Sequence, residues 1–264
     1  MIIIGEKING AIPSVAKAIE GRDDAFIRDL AIRQSEYGAN FIDVCAGTKP
    51  ELERDALTWI IGIVQEAVDI PLCIDSPDPD VIMDMIPLVK VPGMINSVSN
   101  EADKCEKIFP QVVDKEWKII ALTCDDTGLA MKADKKTEIA EAIIEKAKAT
   151  GISEDRLYID PLVNSLGTTP ESYVNFAEAV KMIKTKHPQL HFTSGLSNIS
   201  FGMPLRKVLN QYFLPLAMAA GMDSAICDPT SQVIREGICA TEALLGNDEF
   251  CVEFLQAFRA GLIG

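Results

Sequence analysis

The sequence predicts an α/β protein of the (β/α)₈ TIM-barrel type, and two observations predict it. Short runs rich in Ile and Val recur along the 264 residues, separated by longer stretches with helical spacing. The eight runs leave about 33 residues for each strand and helix, which matches the roughly 250 residues of such a barrel. No linker or low-complexity tract divides the chain, so we expect a single domain over residues 1–264.

Each predicted strand leads into a stretch with helical character. Residues 24–34, for example, carry their apolar side chains at three- and four-residue steps. Three helices are expected to end at a glycine, Gly38, Gly151 or Gly221, because the left-handed cap that returns a helix to a strand favours this residue. The predicted strands are Ile2–Ile4, Phe41–Val44, Leu72–Ile74, Gly93–Ile95, Ile119–Thr123, Leu157–Ile159, Phe192–Ser194 and Ser224–Cys227.

A doubly wound open sheet is the alternative architecture. Such sheets have five or six strands, and those that bind dinucleotides carry a G-x-G-x-x-G sequence after the first strand. The chain has eight predicted strands and lacks that glycine pattern. These two differences favour the barrel.

Composition excludes several classes of protein. Lys and Arg total 25 against 39 Asp and Glu, which gives a formal charge of −14. A surface this acidic repels nucleic-acid phosphates and anionic lipids, so neither nucleic acid nor membrane is an expected partner. The apolar start Ile2–Ile4 is too short for a signal peptide, and no later run approaches a membrane span, which predicts a cytoplasmic protein.

Cysteine and histidine spacing predicts no metal site. The seven cysteines are scattered and form no C-x-x-C pair, and His187 and His191 are the only histidines. We expect reduced, mostly buried thiols. Both histidines are predicted at the end of the barrel opposite its mouth, and residues 132–136 are predicted to form a solvated loop.

Polar side chains follow most of the predicted strands, at the barrel face that holds active sites. An aspartate accepts hydrogen bonds from ring N–H and amino groups, and an asparagine both donates and accepts. Asp75, Asn96 and Asp160 therefore suit the edges of a fused aminopyrimidinone. A single aspartate after a strand more often caps the next helix, but several in register on successive strands favour a binding role.

Five motifs occur in order along the chain, and together they resemble those of the methyltetrahydrofolate:corrinoid methyltransferases. That family shares a pterin-binding barrel with the folate module of cobalamin-dependent methionine synthase and with dihydropteroate synthase. The motifs are Gly5-Glu6-Lys7-Ile8-Asn9-Gly10, Ile74-Asp75-Ser76, Met94-Ile95-Asn96-Ser97, Tyr158-Ile159-Asp160-Pro161 and Gly195-Leu196-Ser197-Asn198-Ile199-Ser200.

The resemblance implies a barrel of the pterin-binding type with the substrate across its mouth. Asp75, Asn96 and Asp160 would hold the polar edge of the pterin, and Asn198 would be the catalytic residue beside N5, the atom that carries the methyl group. Glu6 would either polarise the substrate or tether Lys7 or Asn9. Further substrate-binding residues would be Asp43, Gly195, Ser197 and Arg206.

Two positions at the mouth depart from the family pattern. Cys45 stands where acetogenic relatives have asparagine, and Phe201-Gly202-Met203 replaces polar residues. Both departures concern which corrinoid partner docks there more than whether folate binds.

The predicted function is methyl transfer between N5 of tetrahydrofolate and the cobalt of a corrinoid (cobalamin), in either direction. Because the chain has no Asp-x-His-x-x-Gly cobalt-ligand motif, a separate corrinoid-binding protein is the expected partner. The resemblance and the apolar stretch Phe213–Met218 suggest a homodimer. The alternatives are a dihydropteroate-synthase-like enzyme, whose usual Arg-x-His after the last strand is missing here, and a non-catalytic folate-binding subunit of a corrinoid complex.

Overall fold

The computed structural model describes residues 1–264, which form eight parallel strands surrounded by helices. A ninth strand, β6, is a two-residue antiparallel extension of β5. The strands are β1 Ile2–Asn9, β2 Phe41–Cys45, β3 Leu72–Asp75, β4 Met94–Asn100, β5 Lys118–Asp125, β6 Gly128–Leu129, β7 Leu157–Asp160, β8 His191–Phe192 and β9 Ser224–Cys227. The helices are α1 Pro13–Gly21, α2 Asp24–Glu36, α3 Pro50–Ala67, α4 Pro79–Met85, α5 Lys104–Val112, α6 Ala133–Thr150, α7 Ser172–Lys186, α8 Arg206–Ala220, α9 Gln232–Leu244 and α10 Val252–Arg259.

The sheet closes on itself. Its strands follow the order β8, β7, β5, β4, β3, β2, β1, β9, with parallel pairing between β1 and β9. A bridge between Gly195 and Ile226 joins the two ends, and the Ile226 amide donates to the Ser194 carbonyl at 3.0 Å. This closure confirms the predicted barrel and excludes the open doubly wound sheet.

All eight predicted strands are present, although their lengths differ from the prediction. Strand β1 continues to Asn9 and β4 to Asn100, whereas β8 is reduced to His191–Phe192. The glycine caps are also present: α6 and α8 end at Gly151 and Gly221, which have φ values of 94° and 117°. None of the helices combines the length and the apolarity required to cross a bilayer.

The protein has two hydrophobic clusters. The larger, with 59 buried residues, lies between the strands and the helices. The smaller consists of five residues, Ile4, Cys73, Met94, Ile120 and Tyr158. Side chains two positions apart on a strand share a face, so the residue two positions after each of the five lies above it on the same inner face. These later residues are Glu6, Asp75, Asn96, Leu122 and Asp160, and all but Leu122 are polar.

One prediction about local structure is wrong. Residues 133–136 belong to α6 and not to a solvated loop, and Lys136 is only 1% exposed because its ammonium finds main-chain acceptors inside the protein. The stretch Phe213–Met218, on which the homodimer expectation partly depends, is largely core. Phe213 packs edge-on against Tyr173 and Phe176 of α7, and within the stretch Leu216, 50% exposed, offers surface to a partner.

Candidate functional site

A cavity of about 400 Å³ opens at the carboxyl ends of the barrel strands. Eight of the nine predicted site residues line it, and Arg206 is the exception. The cavity is lined by Glu6, Asn9, Asp43, Asp75, Ser76, Pro77, Asn96, Ser97, Lys104, Leu122, Asp160, Leu162, Gly195, Ser197, Asn198 and Ile226. We call it the inner cavity. The lining carries four carboxyl groups and one ammonium group, so it suits a ligand rich in N–H donors.

Strand register brings the polar side chains side by side. Asp75 is paired with Asn96 across β3 and β4, and with Cys45 across β2 and β3. Asp160 is paired with Leu122 on the far side of the cavity. The predicted edge clamp therefore consists of an adjacent pair, Asp75 on β3 and Asn96 on β4, with Asp160 on β7, two strands beyond Asn96.

Asp43 orients the asparagine of this pair. It is 2% exposed, and the side-chain nitrogen of Asn96 donates to its Oδ1 at 3.2 Å. This contact uses one donor of Asn96 and leaves its carbonyl oxygen for a ligand N–H. Burial raises the pKa of Asp43 well above its usual range, and the nearby Asp75 raises it further.

Asp75 does not cap the helix that follows it. The helix that follows it, α4, is capped by Asp78, whose side chain accepts from the Asp80 amide at 2.9 Å. Burial raises the pKa of Asp75 to about 6, while a hydrogen bond from the Cys45 thiol opposes the shift. The departure at position 45 is therefore a direct contact of the clamp.

Asp160 is 3% exposed at the end of β7. Its Oδ1 accepts from the Leu162 amide at 2.7 Å. Burial raises its pKa to about 7, although hydrogen bonds from the amides of Leu162 and Gly195 and the charge of Lys136 oppose the shift. It therefore exchanges its proton in the neutral range.

Glu6 projects into the inner cavity without a hydrogen-bond partner from the protein. Lys7 pairs with Asp228 at 3.2 Å, and the Asn9 side chain accepts from the Ala11 amide at 2.8 Å, so neither of the tethers considered for Glu6 forms. Burial and the nearby Asp228 raise the pKa of Glu6 to about 7. Glu6 is thus a second carboxyl group that titrates near neutrality at the mouth.

Asn198 is at the edge of the inner cavity, in a short 3₁₀ helix, Leu196–Ser200, that follows β8. Its side chain is exposed and makes no hydrogen bond within the protein. It also lines a second, outer cavity of about 620 Å³ with no charged lining residue, and Leu162 is the other residue common to both. The remaining outer lining is Leu129, Val163, Asn164, Ser165, Gly167, Thr168, Phe201, Gly202 and Met203.

Arg206 is beside the cavity rather than in its lining. Its guanidinium donates to the Ser197 carbonyl at 3.0 Å and to the Ser200 hydroxyl at 3.2 Å. It lies 6.0 Å from the ring of Phe201, which is 71% exposed, and its charge lowers the pKa of Glu6. Arg206 therefore fixes the loop that carries Asn198.

Sequence reasoning missed several residues of the site. Three of them belong to motifs that also contain predicted site residues, so membership of the motif could have identified them. They are Asn9, Ser76 and Ser97. Lys104 enters from the first turn of α5, where it pairs with Glu101 at 2.9 Å, and no local pattern marks it. No group of three or more His, Cys, Asp or Glu side chains is arranged to hold a metal ion.

The chain is similar to known proteins over most of its length. Residues 9–228 match the family described as pterin binding enzyme. A methylcorrinoid:tetrahydrofolate methyltransferase from Eubacterium limosum is 52% identical over 100% of this chain and 98% of its own length. Methionine synthase from Mycobacterium tuberculosis (strain ATCC 25618 / H37Rv) is 30% identical over 86% of this chain, which corresponds to 20% of that longer protein.

Solved structures show the same fold at low identity. Dihydropteroate synthase from Xanthomonas albilineans, in complex with 7,8-dihydropteroate, superimposes with a TM-score of 0.68 and 17% identity over 92% of each chain. The Yersinia pestis dihydropteroate synthase gives a TM-score of 0.64 and 16% identity over 93% of each chain. The barrel, its polar mouth and the match over most of its length identify this chain as a member of the pterin binding enzyme family.

Proposed function

We propose that this protein transfers a methyl group between N5 of tetrahydrofolate and the cobalt of a corrinoid carried on a separate protein. The observation that carries the proposal is the convergence of Asp75, Asn96 and Asp160 in one cavity with an unpartnered Asn198 at its edge. The 52% identical relative, named for methyl transfer between a methylcorrinoid and tetrahydrofolate, supports the choice of substrates.

The pterin is held by its polar edge in this proposal. Its amino group and ring N–H donate to the carboxylates of Asp75 and Asp160, and Asn96 accepts through the oxygen that Asp43 leaves free. Asp160 is buried and Asp75 partly buried, and neither carboxyl forms an ion pair with a lysine or an arginine. Ligand N–H groups would supply the hydrogen bonds that a buried carboxylate requires.

Asn198 activates N5. A tertiary amine is a poor leaving group, so negative charge that develops on N5 needs a donor or a proton. The carboxamide of Asn198 donates to N5 as the carbon–nitrogen bond breaks, and in the reverse direction the same contact orients the N5 lone pair. The mouth lacks histidine, but burial and the nearby Asp228 raise the pKa of the Glu6 carboxyl to about 7, which makes Glu6 a candidate proton source.

The methyl acceptor reaches N5 from outside the barrel. The outer cavity adjoins the inner one at Asn198 and Leu162, which provides an approach to the atom beside Asn198. His187 ends α7 and His191 begins β8, so both lie at the opposite end of the barrel from this approach. We therefore assign the corrinoid to a partner protein.

Single-turnover methyl transfer tests the proposal. Purified protein with methyltetrahydrofolate and added cob(I)alamin should give the spectrum of methylcobalamin, and the reverse reaction should restore cob(I)alamin. Asn198→Ala should slow both directions at least about tenfold at saturating folate, whereas the surface control Asn247→Ala should react at the parent rate. A parent rate in Asn198→Ala would transfer the activating role to Glu6 or Asp43, and no transfer by the parent protein would overturn the proposal.

The domain organisation, the cellular compartment and the oligomeric state are also proposals. We propose that residues 1–264 act as one pterin-binding domain of a cytoplasmic homodimer. Exposed apolar side chains occur on the C-terminal helices, where Leu244, Phe250 and Phe258 are 86%, 87% and 60% exposed, and on α7 and α8, where Val174, Tyr212 and Leu216 are 60%, 64% and 50% exposed. Light scattering on the purified protein checks the dimer, and a monomeric mass at micromolar concentration would contradict it.

A further inference from the structure

Lys136 is a buried lysine that the proposed chemistry does not use. It belongs to the first turn of α6 and is 1% exposed. A buried ammonium is unfavourable unless acceptors surround it, and no carboxylate forms an ion pair with this one. Burial lowers the pKa of Lys136 to about 8, which leaves the group mostly protonated at neutral pH.

The acceptors of Lys136 are two carbonyl oxygens of the turn that follows β7. The ammonium donates to the Pro161 carbonyl and, at 2.9 Å, to the Leu162 carbonyl. Leu162 has a φ of 54°, a left-handed conformation that is unfavourable for a residue with a Cβ and persists where surrounding contacts hold it. The two hydrogen bonds from Lys136 are such contacts.

The same turn holds Asp160. The Leu162 amide donates to Asp160 Oδ1 at 2.7 Å, so one residue accepts from Lys136 through its carbonyl and donates to Asp160 through its amide. A displacement of the turn would therefore move the hydrogen bond that orients the carboxylate. Both Leu162 and Asp160 line the inner cavity.

Charge couples the two residues as well. Among the groups around Asp160, the amides of Leu162 and Gly195 and the ammonium of Lys136 favour the carboxylate over the neutral acid. Lys136 is the one cation in that set. The other ionisable groups that line the cavity are Glu6, Asp43, Asp75 and Lys104.

We propose that Lys136 is a positioning residue for pterin recognition: its buried ammonium holds the turn after β7 and supplies a positive charge that favours the anionic form of Asp160. The inference rests on the proposed function only in naming the pterin as the ligand. An anionic Asp160 accepts two N–H donors, whereas the protonated acid has one acceptor fewer and competes as a donor. Lys136 would thus set the lower pH limit of substrate binding from a position that the substrate does not contact.

The test compares neutral and charged replacements in the full-length protein. Lys136→Met removes both the charge and the hydrogen bonds, Lys136→Gln retains an amide donor without the charge, and Lys136→Arg retains the charge. Lys135→Met is the matched control, because Lys135 is in the same turn of α6 but pairs with Asp125 and Glu138 at the surface. If the Met variant does not fold, the Gln variant decides.

The first measurement needs no ligand. Carbon-13 NMR of the side-chain carboxyls, with the Asp160 signal assigned from Asp160→Asn, gives the titration midpoint of Asp160 in each variant. We expect the midpoint to rise by about one pH unit in the neutral variants and to stay unchanged in Lys136→Arg and Lys135→Met. An unchanged midpoint in both neutral variants would overturn the inference even if the protein binds folate.

The second measurement is calorimetry with methyltetrahydrofolate between pH 6 and 9. A rise of the Asp160 midpoint from about 7 to about 8 weakens binding about fivefold at pH 7 and nearly tenfold at pH 6, and the difference almost disappears at pH 9. A loss of affinity that is equal at every pH would show a structural role alone and would contradict the electrostatic one. Absence of binding by the parent protein would refute the proposed substrate, while the carboxyl titration would still test the link from Lys136 to Asp160.

Discussion

The side-chain amide of Asn198 lies directly over Gly195: a Cβ added at position 195 would be 2.9 Å from Asn198 Nδ2. Gly195 has a φ of −69° and a ψ of 101°, values that any residue adopts, so the backbone does not require glycine here. What requires glycine is the space that the carboxamide occupies. The glycine is therefore part of the arrangement that directs Asn198 toward the mouth of the inner cavity.

Gly195→Ala should displace the Asn198 side chain and leave the fold intact. Because a misplacement of about 1 Å in a reacting group can cost up to roughly 100-fold in rate, we expect methyl transfer at saturating folate to slow about tenfold or more. Stopped-flow transfer measures this rate. Gly62→Ala is the control, since its Cβ would meet no atom within 4 Å in α3. A parent rate in Gly195→Ala, combined with a slow Asn198→Ala, would show that this contact does not position the carboxamide.

Removal of either clamp carboxylate should weaken substrate binding. A hydrogen bond to a charged group contributes about 1.5–3 kcal/mol, so Asp75→Ala and Asp160→Ala should each bind methyltetrahydrofolate roughly 10- to 150-fold more weakly. Calorimetry on variants with parent-like circular dichroism measures the affinity. Asp114→Ala, at an exposed position outside the cavity, is the control. Unchanged affinity in both clamp variants would contradict the placement of the pterin between them.

The Asp160 carboxylate should destabilise the ligand-free protein at neutral and alkaline pH. Burial raises the pKa of Asp160 from 3.8 to about 7 on folding, so the stability associated with its neutral form is complete below pH 3.8 and is lost as the pH rises through about 7. Asp160→Asn avoids this loss. At pH 8 we expect the variant to unfold at a higher urea concentration than the parent. Its free energy of unfolding should exceed that of the parent by up to about 4 kcal/mol at pH 8 and by less at pH 5.

The control for this measurement is Asp114→Asn, which replaces an exposed carboxyl group. Equal stability of parent and Asp160→Asn at pH 8 would show that ligand-free Asp160 carries no burial penalty. If Asp160→Asn is more stable than the parent but binds folate more weakly, then Asp160 lowers the stability of the ligand-free protein while it contributes to substrate binding.

The sequence contains most of the clamp because alternation on a strand is a local pattern. On these strands a buried residue is followed two positions later by a polar one, as in Cys73 with Asp75 and Tyr158 with Asp160. Each such pair lies within three consecutive residues and can be recognised from the sequence. The barrel itself follows from the repetition of such strands.

What the sequence does not contain is contact between distant segments. Lys136 is a charged residue in a charged run, and its acceptors are main-chain carbonyls 25 and 26 positions away, which have no side-chain signature. The error at Lys136 concerns burial that only the folded chain determines.

His187 connects three elements at the barrel end opposite the mouth, and it should make stability depend on pH there. Its Nδ1 lies 2.8 Å from Glu154 Oε1 and its Nε2 lies 3.0 Å from Glu141 Oε2. The two acceptors belong to α6 and to the short 3₁₀ helix Glu154–Arg156 that precedes β7, while His187 caps α7. Burial disfavours the charged imidazole, but the hydrogen bonds to Glu154 and Glu141 outweigh it and raise the pKa of His187.

A raised pKa in the folded state means that the stabilising contribution of His187 is fully present below pH 6.5 and is lost as the pH rises through the folded-state value. His187→Gln should therefore unfold at lower urea concentration than the parent at pH 6, by about 1 kcal/mol, and should approach the parent at pH 9. Glu154→Gln should reduce the same pH dependence, because it removes one of the two acceptors. Methyltetrahydrofolate affinity of both variants should stay at the parent value, since His187 lies at the other end of the barrel. A stability difference between parent and His187→Gln that is equal at pH 6 and pH 9 would show that the imidazole acts there as a neutral hydrogen-bonding group and not as a cation between two carboxylates.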